Sequence, residues 1–220
     1  MSLHENFAPI SSGLYVKAST KATYANGIAK RLLDLAIAIP ALILLSPLFL
    51  VLAVLIRRDS QGPVMFRQTR LGLGGVAFQI YKFRTMTVLE NGPVITQATK
   101  NDVRVTKTGT WMRRTSLDEL PQLLNVINGE MSLIGPRPHA LAHDRHYGNA
   151  IDGYDLRQSV KPGISGWAQV HGHRGETATT SQMRERLAYD VWYARNASLA
   201  LDIEILARTL GEVLGQRNAY

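Results

Sequence analysis

The sequence predicts a mostly helical α+β protein: one apolar membrane element, followed by a soluble body that carries a short β-hairpin. Three observations predict this. An apolar run, LLDLAIAIPALILLSPLFLVLAVLI, extends from Leu32 to Ile56 and is the longest in the chain. Apolar and polar residues alternate loosely on either side of LGLGG, which is a hairpin pattern. Two late stretches, Thr180 to Arg195 and Leu199 to Leu214, read as helices. The 220 residues are enough for one sizeable core or one domain with appendages.

Residues 1–29 are polar and rich in small side chains, and read as a loose N-terminal tail. Residues 30–58 form the membrane element. As a straight helix the apolar run would be roughly 37 Å long, against the ~30 Å of a bilayer core. It is too long for a signal-peptide core, and RRDSQGP follows it in place of a cleavage site. Basic residues mark the cytoplasmic side, and equal pairs, Lys30-Arg31 and Arg57-Arg58, stand at the two ends. Pro47 removes a backbone donor inside the run, and Ser46 can bond back to the preceding turn and bend it. Pro40 is a further breaker. A helix-break-helix that dips into one leaflet and a kinked helix that spans both satisfy this pattern.

Residues 59–220 form the soluble body, since no later run is long enough to span. Val64, Phe66, Phe78, Ile80 and Phe83 supply the hairpin alternation, with LGLGG as its turn. GLGG is no nucleotide fingerprint, because no strand-Gly-helix unit surrounds it. The next stretch is loop-like, with Asn91-Gly92-Pro93 as a turn. A helix then carries a stripe of Leu117, Leu120, Leu124 and Ile127 until GPRP breaks the chain. HALAHDRHYGNAIDGYDLRQSV is helical in parts, and KPGISGWAQVHGHRGE is glycine-rich and irregular.

Net charge is +8 and the pI near 9.9, which suits an anionic partner. The absence of cysteine excludes disulfides and thiolate metal sites. No nucleic-acid motif or aromatic-basic platform accompanies the charge.

TSLDELPQL places two carboxylates, Asp118 and Glu119, side by side. One account is structural: Ser116 and Glu119 match a capping box, and acids in a first turn suit the helix dipole. The neighbours favour chemistry. Arg113-Arg114 lie upstream, Arg137 and Pro138 follow in GPRP, and Lys82 and Arg84 stand in YKFRTM. Carboxylates with convergent cations are what divalent-metal phosphoryl transfer requires. Histidines offer a rival zinc site, through the i, i+4 pair His139 and His143 with His146 near, or through His171 and His173, but HxxxH without a partner Glu is a weak signal.

KRLLDL, the Ser-Pro inside the run, YKFRTM, TSLDELPQLLNVINGEMSLIGPRP, KPGISGWAQVHG and YDVWYARNASLALDI occur in the order found in the bacterial monotopic phosphoglycosyl transferases. The chain resembles that family over residues 28–220, and most closely its undecaprenyl-phosphate glucose phosphotransferases. The resemblance implies a re-entrant helix broken at Ser46-Pro47 and a catalytic domain on the cytoplasmic face of the bacterial inner membrane. It implies transfer of a sugar-1-phosphate, glucose first and galactose second, from a UDP-sugar to undecaprenyl phosphate with release of UMP. Asp118 becomes the nucleophile and Glu119, with Asp118, the Mg²⁺ ligand. Lys82, Arg84, Arg113, Arg114, Arg137, Pro138 and Gln169 become phosphate- or substrate-binding residues. Membrane lipids are partners, nucleic acid is not, and a homodimer is admitted. Many family members carry a large multi-span N-terminal region where this sequence has a short tail, which suggests a minimal form or a piece of a longer chain. A lipid phosphatase or pyrophosphatase using the same dyad, and a non-enzymatic scaffold docking on anionic membranes, are the alternatives.

Overall fold

The computed structural model describes residues 24–87, 102–175, 177 and 179–214. The tail at 1–23, the expected Asn91-Gly92-Pro93 turn and the chain end lie outside these residues. The elements run in order: α1 (Ile28–Asp59), β1 (Met65–Leu71), β2 (Ala77–Phe83), α2 (Lys107–Arg114), α3 (Gln122–Asn128), β3 (Ser132–Ile134), α4 (Leu141–Ala150), β4 (Gly163–Ser165), α5 (Thr180–Asn196) and α6 (Leu199–Leu214).

Helix α1 is continuous. It runs through both Pro40 and Pro47, so the expected break is not an interruption of the helix. Ser46 Oγ donates to Ile43 O at 2.8 Å, the back-bond that helps a helix bend at such a site. Among the described residues α1 is the one helix long and apolar enough to cross a membrane, with a mean hydropathy of 2.8 over its best window. Lys30, Asp34, Ala38, Leu52 and Ile56 are buried, and Ala41, Leu42, Leu45, Leu48 and Phe49 continue the same stripe at three- and four-residue spacing. Its other face exposes Leu32, Ile39, Ile43, Leu44, Leu50, Val51 and Val54.

Both ends of α1 are tied to the body. Lys30 Nζ pairs with Asp202 at 2.5 Å, and Arg31 donates to Val126 O and Ile127 O, two carbonyls of the last turn of α3. The first basic pair therefore holds protein, whereas Arg57 and Arg58 are exposed. At the other end, Leu52 and Ile56 pack on Phe83 and Met112.

β1 and β2 form the expected antiparallel hairpin. Phe78, Ile80 and Phe83 are buried, while Val64 and Phe66 are only half-buried. Asn125, on α3, covers the open edge of β2: it accepts from Tyr81 N at 2.9 Å and donates to Gln79 O at 2.7 Å. The inward residues of α3 are Leu123 and Val126, not the expected stripe of Leu117, Leu120, Leu124 and Ile127, all half-buried. A second pairing, parallel β3 with β4, lies at the end of the stretch read as a helix before GPRP and in the stretch read as an irregular loop. Glycine permits it: a Cβ on Gly135 would stand 2.3 Å from Lys161 O, and one on Gly163 2.1 Å from Gly135 N. The two late helices fall where their patterns place them.

Candidate active site

Asp118 and Glu119 lie on a single 3₁₀ turn, Leu117–Glu119, between α2 and α3. An α-helix opening at Leu117 would need the N–H of residue 121 to bond Leu117 O, and proline has none. Shorter bonds close the turn instead, from Glu119 N to Ser116 O at 3.2 Å and from Leu120 N to Leu117 O at 3.3 Å. Ser116 makes no capping bond and adopts a left-handed conformation, φ 57° and ψ 17°. The capping box is therefore absent, and both carboxylates are available for other work.

The Glu119 carboxylate is fully engaged. Lys82 Nζ donates to Oε1 at 2.7 Å. Arg137 grips both oxygens, Nη1 to Oε2 at 2.9 Å and Nη2 to Oε1. Strand alternation puts Lys82 on the face of Phe78 and Ile80, at the end of β2 that faces this turn. Burial alone would raise the Glu119 carboxyl, but the Arg137 and Lys82 charges and their hydrogen bonds hold it well below the ordinary range.

Asp118 is the opposite case. Its carboxylate accepts no hydrogen bond among the described residues. Burial, and then the adjacent Glu119 charge, push it up to about 6 against the pull of Lys82, Arg113 and Arg137. An ionised carboxylate without a hydrogen-bond donor, among cations suited to phosphate, can attack phosphorus.

Arg137 is aimed by its backbone. The prolines beside it can accept but not donate, so neighbours supply the donors. Gly163 N donates to Pro136 O at 2.9 Å, Arg157 Nη2 to Arg137 O at 2.5 Å, and Arg70 Nη1 to Pro138 O at 3.1 Å. Arg157 is itself held by Asp190, Nε to Oδ2 at 3.0 Å, and by His139 Nδ1 at 3.1 Å. Tyr154 Oη completes the cluster, donating to Asp144 at 2.9 Å and lying 2.5 Å from His139 Nδ1. Arg70, Arg157, Asp144, Tyr154 and Asp190 carried no spacing signal; single polar residues scattered through the hairpin and the helical stretches gain meaning only once folding buries them together.

The remaining expected residues divide. Arg113, on the last turn of α2, contributes its charge to Asp118. Arg114 is exposed beside it. Arg84 is not brought to the dyad: it is buried and donates to Ser60 O at 2.7 Å, to Ile56 O and to Gln61 O, at the C-terminal end of α1. Pro138 is buried and acts through its carbonyl. Gln169 is buried, with Nε2 donating to Ile164 O at 3.2 Å and Oε1 without a partner among the described residues. Among the described residues no three His, Asp or Glu side chains gather as a metal cluster. His139 serves the buried network, His171 donates to Trp167 O at 2.8 Å, and His173 lies on the Tyr189 ring.

Mg²⁺ takes one or two carboxylates together with substrate phosphates. Glu119, with both oxygens given to cations, does not fit as a ligand in this fold. Asp118, with no donor on its carboxylate, fits.

A family profile described as bacterial sugar transferase matches residues 25–216. The chain is 49% identical over 195 residues to the UDP-glucose:undecaprenyl-phosphate glucose-1-phosphate transferase of Escherichia coli (strain K12), covering 89% of this chain and 42% of that protein. It is 50% identical over 191 residues to the protein of the same name from Caulobacter vibrioides, covering 87% of this chain and 72% of the relative. It is 44% identical over 186 residues to the UDP-N-acetylgalactosamine-undecaprenyl-phosphate N-acetylgalactosaminephosphotransferase of Aeromonas hydrophila, covering 84% and 43%. The chain thus spans about two fifths of the length of several of these relatives.

Proposed function

Because the chain belongs to the bacterial sugar transferase family, we propose that it transfers hexose-1-phosphate, glucose first, from a UDP-sugar to undecaprenyl phosphate. The observation that carries this is the contrast within the dyad: Glu119 anchors Lys82 and Arg137, while Asp118 keeps its carboxylate clear of donors. In the first step an Asp118 oxygen attacks the sugar-bearing phosphorus. The P–O bond to the uridine monophosphate breaks, and UMP leaves with the electron pair. In the second, a phosphate oxygen of the lipid attacks that phosphorus and the Asp118 carboxylate departs. Arg137 and Lys82 stabilise charge on the phosphoryl oxygens throughout, positioned by Glu119. Mg²⁺, held by Asp118 and the substrate's phosphates, would supply further charge neutralisation.

The same reading places the body on the cytoplasmic face of the inner membrane. Support comes from α1: both its ends rest on one soluble body while its outer face is apolar. That arrangement suits a helix dipping into one leaflet, where a lipid phosphate stays within reach of the dyad. Relatives named for glucose match this chain at 49%, 53% and 50% identity and one named for N-acetylgalactosamine at 44%, which favours glucose.

The test is direct. Protein incubated with UDP-glucose radiolabelled in the sugar, without lipid acceptor, should hold covalent label. Asp118→Asn should hold none, and undecaprenyl phosphate should discharge the wild-type label into lipid. Turnover without any trapped label on rapid quenching would replace the covalent route with direct transfer. Loss of label to free sugar phosphate would indicate a pyrophosphatase, with water in place of the lipid phosphate.

A further inference from the structure

Ser116 is the one non-glycine residue with positive φ among the described residues, and it stands two positions before Asp118. A left-handed serine is strained and persists only where its surroundings impose it. Its hydroxyl, freed from capping, accepts from Arg174 Nη2 at 3.1 Å. Arg174 in turn faces Glu212, near the end of α6, with Nη1 3.5 Å from Oε2. Three residues from three separate parts of the chain therefore meet behind the turn that presents Asp118. Arg174 is about three-quarters buried, with 24% of its side chain exposed, and Glu212 is similar at 29%, so the contact is shielded enough to matter and open enough to alter without emptying the core.

We propose that Arg174 is a positioning residue: held by Glu212, it fixes Ser116 in its left-handed conformation and so sets the direction of the Asp118 carboxylate. This rests on the transfer reading above, in which Asp118 attacks phosphorus and a small misdirection is costly. Arg174 does not touch Asp118 through any described hydrogen bond, and its effect passes through the backbone of the turn. The arrangement also explains why a serine occupies a position where glycine would relax the backbone: glycine would lose the side-chain oxygen through which Arg174, and with it α6, reaches the turn.

The experiment is a double-mutant cycle with two independent readouts. Ser116→Ala and Arg174→Gln should each lower kcat by about ten- to a hundredfold, the scale expected for an ångström-level misplacement, with KM for UDP-glucose changed less than about twofold. The double variant should be no worse than the poorer single one, since both remove the same contact. Glu212→Gln should act in the same direction and more weakly. The second readout is hydrogen exchange of the amides of residues 117–120, which should quicken in Arg174→Gln while α5 is unchanged. A raised KM in Arg174→Gln, additive with Ser116→Ala, would make Arg174 a substrate contact and overturn the proposal. Unchanged exchange at the turn would overturn it whatever the kinetics show. A wild-type protein with no transfer activity would defeat the transfer reading instead, and the exchange measurement would still decide whether Arg174 holds the turn.

Discussion

Two adjacent carboxylates have been driven in opposite directions by what surrounds them. Glu119 is stabilised as an anion by two cations that bond to it, whereas Asp118 has charge nearby but no donor on its oxygens. That asymmetry fixes the pH behaviour. Asp118, pushed up to about 6, is mainly protonated below that pH, so transfer should rise as pH passes upward through about 6 and then level off. The stability consequence has the opposite sign. The folded protein holds the Asp118 proton more tightly than the unfolded chain does. Its contribution therefore weakens folding as pH rises from the ordinary carboxylate range to about 6, and the full penalty remains above that. Asp118→Asn removes the penalty. At pH 8 it should raise Tm, by about 2–4 °C for each kcal/mol recovered in a chain of this size, while abolishing trapped label. The gain should shrink toward nothing as the pH of the melt approaches 4. A variant that loses activity but melts no higher at pH 8 would mean that the Asp118 carboxylate is not held at an energetic cost.

At the level of elements, much was legible where a pattern is local. The hairpin follows from alternation, and α5 and α6 from helical periodicity. The β3–β4 pair was not legible, because each strand is three residues long and gains its meaning only from a partner some thirty residues away. Lys82 and Arg84 show the same limit at closer range. They are two residues apart, and unbroken alternation would put them on one face. Strand β2 ends at Phe83, so Lys82 faces Glu119 while Arg84 turns back to cap α1. Two of the four arginines assigned to phosphate, Arg84 and Arg137, should therefore behave differently. Arg84→Ala removes the side-chain donor to Ser60 O and Gln61 O, just past the end of α1, a loss of about 1–3 kcal/mol, and should lower Tm while the surviving folded protein transfers at close to the normal rate. Arg137→Ala should lower transfer by at least a hundredfold and move Tm by only a few degrees. Equal activity losses in the two variants would place Arg84 in the site after all.

For the whole molecule, the central fact is that one 32-residue helix touches the same body at both ends. The sequence presented the apolar run and its symmetric basic flanks, but not that Lys30 is buried against Asp202, since nothing local links positions 172 residues apart. This burial bears on topology. A straight helix of this length would reach roughly 48 Å, and if it crossed a bilayer its two ends would lie in different compartments. The Lys30–Asp202 pair and the packing of Ile56 on Met112 could not then both persist, because one soluble body cannot stand on both sides. Breaking a buried ion pair by withdrawing one partner costs several kcal/mol, which supports the proposed re-entrant placement over spanning. The chain has no cysteine, and Asn26 and Gln61, one before and one after α1, are both exposed. Single cysteines at these positions should react together: neither with a membrane-impermeant maleimide added to intact cells, both once the inner membrane is opened. Labelling of Asn26→Cys but not Gln61→Cys from outside would show that α1 spans and that the contacts at its N-terminal end do not form in the membrane. Replacing Ser46-Pro47 by Ala-Leu removes the back-bond to Ile43 and restores a backbone donor, which favours a straight helix. Because Lys30 and Ile56 still hold both ends to the body, that variant should shift only part of the population to one-sided labelling, and adding Asp202→Ala should shift more.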